Sequence, residues 1–314
     1  MQYDFAPMEG ITDATYRQVH HRHFPGISRY YMPFISPTIH RSLTSREARE
    51  LPEANSVDFV AVPQLLGKNI DDMLWAIDVC RDRGYSVVNI NLGCPSGTVV
   101  SKGKGSGMLA DPDFLDEFLD KLYASATLPI SIKTRLGIEN SEEFSKILNI
   151  YNQYPLAELI IHPRVRKAFY GGACDLTAFQ QAVDSCKFPL CYNGNLNTRQ
   201  DIHNITQRFP TVDTLMIGRG LVANPGMLTP DGLTPVKLEH FLDDLTEGYA
   251  IAFGSKRNAL FRLKDNWHYL IAMFDGCEKH WKQLRKTTDF DTFCNIQHEI
   301  IRTLPMRAEC VPIW

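Results

Sequence analysis

Ser86-Val87-Val88-Asn89-Ile90-Asn91-Leu92-Gly93-Cys94-Pro95 joins a short apolar run to a polar turn closed by glycine and proline. The same arrangement recurs through the first two-thirds of the chain, at 3–8, 29–34, 57–66, 86–92, 129–135, 158–162, 189–193 and 214–218. These runs are rich in Val and Ile and bounded by Gly, Pro or polar residues. That composition suits strands of a parallel sheet buried on both faces. Amphipathic stretches at 70–82, 112–124, 141–154, 175–185 and 198–209 separate the later runs. Several open with helix-start chemistry: Asp111-Pro112 sets a capping residue before proline, and Ser141-Glu142-Glu143 brings negative charge to a positive helix end. Strands alternating with helices in this way predict an α/β fold, a (β/α)8 TIM barrel. The competing open, doubly wound sheet would carry a Gly-x-Gly-x-x-Gly turn after its first strand if it held a dinucleotide, and here that turn reads Ala6-Pro7-Met8-Glu9-Gly10.

A break follows the last run. Thr229-Pro230-Asp231-Gly232-Leu233-Thr234-Pro235 reads as a linker or turn, and beyond it helical patterns cover 236–253, 258–274, 278–286 and 290–303. The expected organisation is a catalytic barrel over 1–230 and an all-helical C-terminal domain over 235–314.

Composition narrows the class. At 44% hydrophobic and 22% charged, the chain is an ordinary globular protein, and it has no apolar run of the ~18 residues a membrane span needs. Its start, Met1-Gln2-Tyr3-Asp4-Phe5, lacks a basic region followed by an apolar segment, so a cytoplasmic protein is expected. None of the eight cysteines forms a Cys-x-x-Cys pair, which argues against zinc ribbons and dithiol redox sites, and no metal is expected. A net charge of −3 means that a nucleic-acid partner would need a local basic surface.

Chemistry in a barrel of this kind sits at the carboxyl ends of the strands. There the sequence places Pro7-Met8-Glu9, Gln64, Asn91 through Pro95, Lys133-Thr134-Arg135, His162-Pro163-Arg164, Asn193-Gly194-Asn195 and Gly218-Arg219-Gly220. A cysteine is by default a small buried apolar residue. Cys94, between glycine and proline at a strand end, is the exception with a claim to chemistry.

Read together, Ala-Pro-Met-Glu-Gly-Ile-Thr-Asp at 6–13, Asn-Leu-Gly-Cys-Pro-Ser at 91–96, Lys-Thr-Arg at 133–135, His-Pro-Arg at 162–164 and Met-Ile-Gly-Arg-Gly at 216–220 resemble the motifs of the tRNA-dihydrouridine synthases. The likeness spans residues 3 to about 226, and the helical tail fits that family's C-terminal domain. The resemblance implies an FMN-dependent oxidoreductase that reduces the C5=C6 bond of specific uridines in tRNA with NADPH. It further implies that Cys94 protonates carbon 5 of the uracil. Gln64, Lys133 and His162 would contact the flavin ring, with the backbone of Pro7, Met8 and Glu9 passing close by. Asn193, Gly194, Asn195, Gly218 and Arg219 would take the flavin phosphate. Many family members have an acidic residue where this chain has Asn195. Asn91, Arg135 and Arg164 would meet the substrate.

Ser101-Lys102-Gly103-Lys104-Gly105-Ser106-Gly107 reads either as a mobile loop beside Cys94 or as a plain solvated one. For RNA the tail offers Lys256, Arg257, Arg262, Lys264, Lys279, Lys282, Arg285 and Lys286, interleaved with Phe261, Trp267, Tyr269 and Trp281. His20-His21-Arg22-His23 is a further candidate for positive charge. Solvated helix faces over core aromatics would explain the tail equally well. A monomer is expected. One rival is a dihydroorotate dehydrogenase-like barrel acting on a free pyrimidine, and another is a non-catalytic RNA-binding barrel.

Overall fold

The computed structural model describes residues 1–313. Its strands are β1 (Gln2–Phe5), β2 (Arg29–Tyr31), β3 (Ala61–Val62), β4 (Gln64–Leu65), β5 (Val88–Leu92), β6 (Ile130–Arg135), β7 (Glu158–His162), β8 (Leu190–Tyr192) and β9 (Thr214–Ile217). Each lies within, or overlaps, one of the apolar runs. They form one sheet in the order β3-β2-β1-β9-β8-β7-β6-β5-β4, and the recorded pairings are all parallel. The two edges, β3 and β4, are halves of one extended segment interrupted at Pro63, which has no N–H for the ladder. The Pro63 carbonyl still accepts from the amide of Asn89 at 2.8 Å, and Ile35 continues the β2 side by bridging Leu65. The sheet therefore returns to the segment on which it began, which is the closure of a (β/α)8 barrel.

Alternation along the strands fills the interior. Ala6, Tyr31, Val62, Ile160, Cys191 and Met216, from six neighbouring strand segments, meet as one buried cluster. Toward the strand starts, Arg29 donates to both Asp4 carboxylate oxygens (Nε to Oδ1 3.0 Å, Nη2 to Oδ2 2.6 Å) and to Glu158 Oε1 at 2.7 Å. The Tyr31 hydroxyl donates to the other Glu158 oxygen at 3.1 Å. Two buried carboxylates thus share one guanidinium: each is hydrogen-bonded, and burial together with the nearby Glu158 raises the Asp4 carboxyl to about 6 despite Arg29.

Helices Ile70–Asp82, Pro112–Ser125, Leu176–Ser185 and Arg199–Arg208 occupy the expected stretches. Asn69, Asp111 and Asp175 cap the first three by accepting from backbone N–H groups, worth about 1 kcal/mol each. The stretch at 141–154 forms a shorter helix, Glu143–Tyr151. The Glu143 carboxylate turns back to accept from the amides of Ile138, Glu139 and Asn140, which holds the approach as a loop. Two helices had no clear signal. Ser45–Glu50 is short, and Ala14–His23 buries Arg17 and His20 beside Tyr16 and Val19, which blurs its apolar period.

The chain divides into two compact units. The first comprises Met1–Pro7, Arg29–Gly194 and Ile205–Met216; the second comprises Met8–Ser28, Asn195–Asn204 and the chain from Ile217 onward. In the second, helices Pro235–Phe253, Lys256–Leu270, Glu278–Lys286 and Phe290–Thr303 follow one another. Phe241 packs edge-on against Tyr16 and Phe24, with ring centroids 5.7 and 5.2 Å apart. Trp267 is fully buried and donates to Gln297 Oε1 at 2.9 Å. No helix among the described residues is long and apolar enough to cross a membrane.

The basic candidates separate once packed. His20 is buried, and loss of solvent pushes its imidazole down to about 3, so it adds no positive charge, contrary to the sequence reading. His23 lies 2.8 Å from Asp244. Arg262 donates to the Gly10 carbonyl at 2.7 Å, Lys264 to the carbonyls of Arg285 and Thr287, and Lys256 to Asp291. Arg257 and Arg285 lie over the rings of Phe261 and Trp281, and Phe261 is itself exposed.

Candidate active site

Register brings the polar strand ends of the first unit together. Asn91 pairs with Lys133, and Arg135 with His162, on adjacent strands. A row of amides crosses the neighbouring strands: Gln64 Nε2 donates to Asn89 Oδ1 and Asn91 Nδ2 donates to Gln64 Oε1, both at 2.8 Å. Asn89 Nδ2 continues the row to Ser131 Oγ at 2.9 Å. Asn91 Oδ1 then accepts from the backbone amides of Gly93 (3.1 Å) and Cys94 (2.9 Å). One side chain therefore fixes the turn that carries the thiol. Gly93 packs closely on the next strand, where a Cβ would lie in van der Waals contact, 3.4 Å from the Lys133 carbonyl oxygen.

The Cys94 carbonyl accepts from Ser106 twice, from its amide at 3.2 Å and its hydroxyl at 2.8 Å. Ser106 is fully buried in a 3-10 turn, Gly105–Ala110. The segment expected to be a mobile or solvated loop is thus tucked in over its second half. Gly105 and Gly107 allow this: the first has φ +57°, and a Cβ on the second would meet Val100 backbone at 2.8 Å. Cys94 itself stays partly open to solvent.

Around this turn stands a group of nitrogen bases. Lys133 is half-buried, and no hydrogen bond or ion pair to its ammonium occurs among the described residues. Desolvation and the neighbouring Arg135 push it down to about 8. Arg135, buried, donates from Nε to the Gly93 carbonyl (2.9 Å) and from Nη1 to the carbonyls of Val165 (3.2 Å) and Phe169 (2.6 Å). Desolvation lowers its pKa also, to about 10. Arg164 donates to the carbonyls of Gly171 and Gly172 and to His162 Nε2 at 2.9 Å. A guanidinium only donates, so Nε2 is the acceptor and the imidazole hydrogen belongs on Nδ1. Among the described residues, none of Lys133, Arg135 and Arg164 pairs with a carboxylate.

Tyr170 was not singled out in the sequence. Its ring lies over the Arg135 guanidinium at 5.3 Å and 6.1 Å from the His162 ring, and it is 53% exposed. Its only sequence signal was an aromatic pair, Phe169-Tyr170, ahead of two glycines. Asn193 donates from Nδ2 to the Met216 carbonyl at 2.8 Å. A Cβ on Gly194 would stand 2.6 Å from Cys174 Sγ, so a side chain there would have to displace that thiol. Pro7 ends the first segment of this unit.

The remaining predicted residues belong to the second unit. Met8 opens a turn closed by Thr12, whose hydroxyl accepts from the Met8 amide at 2.9 Å. Glu9 is exposed on that turn, and Gly10 follows at φ +77°. Asn195 is exposed in the left-handed region at φ +46°, which asparagine tolerates. Gly218 precedes the short helix Arg219–Ala223. Gly220 packs directly on the 195–197 turn, since a Cβ there would stand 2.2 Å from the Leu196 carbonyl oxygen. Elsewhere in this unit Glu239, Asp243 and His298 cluster within 4.8 Å, but His298 pairs with Asp243 and Arg302 with Glu239.

A family model described as dihydrouridine synthase (Dus) matches residues 4–265. A tRNA-dihydrouridine synthase B of Pasteurella multocida (strain Pm70) is 28% identical over 221 residues, covering 70% of this chain and 65% of that protein, just under two-thirds of its length. A probable tRNA-dihydrouridine synthase of Rhizobium leguminosarum bv. phaseoli is 28% identical over 265 residues, covering 80% of this chain and 82% of its own. Among solved structures, morphinone reductase superposes with a TM-score of 0.51 at 12% identity, over 72% of this chain and 84% of that one, a likeness of fold alone.

Proposed function

Because the chain belongs to the dihydrouridine synthase family, we propose that it is a flavin-dependent oxidoreductase that converts uridine to dihydrouridine in tRNA, with FMN as cofactor and NADPH as reductant. The observation that carries the reading is a thiol turn held by an amide row beside an ammonium that has no partner among the described residues. An unpaired, desolvated cation is costly unless an anion joins it. The reduced flavin ring is such an anion, and when bound the flavin supplies hydride to carbon 6 of the uracil.

The residues' parts follow from their free valences. Asn91 Oδ1 is filled by two amides, so Asn91 orients Cys94 and keeps one Nδ2 hydrogen for the uracil. Cys94, as the neutral thiol, donates its proton to carbon 5. Gln64 gives one N–H to Asn89 and accepts one from Asn91, which leaves one donor and one lone pair for the pyrimidine edge of the flavin. Lys133 balances the charge of the reduced ring, and His162, whose Nε2 accepts from Arg164, contacts it. Arg135 and Arg164 shape the substrate side chiefly by holding the 165–172 loop. Within the second unit, a phosphate-binding role is proposed for Asn195, Gly218 and Arg219, where glycine backbone and a guanidinium adjoin. Residues 235–314 are proposed to bind tRNA.

The test is direct. Purified protein should carry flavin and, with NADPH, form dihydrouridine in tRNA from a strain lacking the gene. Reduction of free uracil or orotate with none in tRNA would replace this reading with the free-pyrimidine one. Absence of flavin even after adding FMN would end both.

A further inference from the structure

Phe169 is the least expected residue of the first unit. It sits at φ 49° and ψ −103°, a conformation that is unfavourable for a bulky side chain and that glycine would adopt freely. The only other described non-glycine residues with positive φ are Arg41 and Asn195. The backbone is held there from two directions: the Phe169 amide donates to the Arg166 carbonyl at 3.0 Å, and its carbonyl accepts from Arg135. The ring gains little from the protein in return, being 46% exposed.

Beside it stands Arg166, whose Cζ lies 5.8 Å from the Phe169 ring centroid. Its Nε is buried without a hydrogen-bond partner, and no carboxylate pairs with its guanidinium among the described residues. The adjacent Lys167 is paired with Glu139, so Arg166 is the uncompensated cation of this turn. A strained, half-uncovered ring and an unanswered guanidinium thus occupy one loop. Arg135 ties that loop to Gly93, the residue before the reacting thiol.

We infer that Phe169 and Arg166 form a receptor for the nucleotide next to the target uridine, the base stacking on the Phe169 ring and its phosphate meeting Arg166. The inference rests on the proposed reduction of uridine in tRNA and adds a substrate contact to it. Extruding a uridine breaks its stacking on its neighbour, and an aromatic platform restores part of that loss. Base–aromatic stacking is sequence-tolerant and worth about 1–3 kcal/mol, roughly a five- to 150-fold change in binding. That exceeds what an exposed phenylalanine contributes to folding, and it rationalises an aromatic where glycine would be unstrained.

The test uses the flavin-loaded full chain. Phe169→Gly should leave flavin content, the rate of flavin reduction by NADPH and Tm no lower than wild type, while KM for tRNA rises about tenfold. Phe169→Trp should restore KM, and Arg166→Gln should raise it a few-fold with a shallower salt dependence. A short uridine RNA with a fluorescent purine analogue beside the uridine should be quenched by wild type and by Phe169→Trp, and not by Phe169→Gly. A folded Phe169→Gly enzyme with wild-type KM and wild-type quenching would overturn the inference while leaving the proposed reaction intact. Absence of dihydrouridine formation by the wild type would overturn that reaction and this inference with it.

Discussion

The two ends of the barrel handle charge in opposite ways. At the strand starts, Arg29 bonds Asp4 and Glu158 together, so each of these three charged groups has a hydrogen-bonded partner. At the strand ends, Lys133, Arg135 and Arg164 gather with no carboxylate beside them among the described residues, and none of those residues pairs with the Lys133 ammonium. The first is a closed account and the second an open one. A buried pair holds the fold because removing one member strands the other. An unpaired cation does the reverse: it burdens the ligand-free protein and becomes favourable only when an anion arrives. The proposed function therefore sets binding at the strand-end mouth, opposite the Arg29 network.

Mutations can break or sharpen that contrast. The largest effect is expected at the open end: Cys94→Ala should retain flavin and lose about 10²- to 10⁴-fold in turnover, the usual worth of a positioned general acid. Rapid-mixing measurements should show normal flavin reduction by NADPH and slow transfer to tRNA; near-normal transfer would remove the thiol from its role. At the closed end, Arg29→Met should cost about 3–5 kcal/mol in denaturant unfolding, since Asp4 and Glu158 lose their shared partner. A loss near zero would mean that this network is not what holds the strand starts.

Lys133→Met distinguishes the ends most clearly. It should weaken flavin binding about ten- to 100-fold, the worth of one charged hydrogen bond. The flavin-free variant should nonetheless be at least as stable as wild type. Titration of apoprotein with FMN and unfolding of the same sample measure both, and destabilisation of the apoprotein would contradict the assignment. The smallest effect is in pH. Lys133 titrates at about 8 in the folded apoprotein and near 10.4 when unfolded. Between these values the unfolded chain binds more protons, so this group's contribution to stability rises with pH. The deficit of wild-type apoprotein relative to Lys133→Met should therefore be full below about pH 8 and shrink above it. A constant difference across that range would rule out a depressed lysine.

The strand pattern was legible because burial on both faces leaves unbroken Val- and Ile-rich runs, as in 86–92 and 158–162. Pro63 marked no boundary in the sequence, yet it divides one run into the two strands at which the sheet closes. The residue types of the candidate site were equally easy to pick out, since Gln64, Asn91, Cys94, Lys133 and Arg135 each stand at or beside the end of an apolar run. Their division of labour was not. Asn91 and Lys133 are 42 positions apart and meet only through register, so nothing local announces that Asn91 orients the thiol while Lys133 is left unanswered.

Sequence by itself determined the barrel and the family, and it singled out the strand ends as the candidate site, because periodicity and strand-end motifs are local properties of the chain. Tertiary structure alone decided which charges are answered. His20 loses its charge by burial, Lys264 is taken up by backbone carbonyls, and Arg166 Nε is left without a hydrogen-bond partner among the described residues. A charge's energy depends on its surroundings within a few ångströms, and those surroundings come from residues far away in the chain.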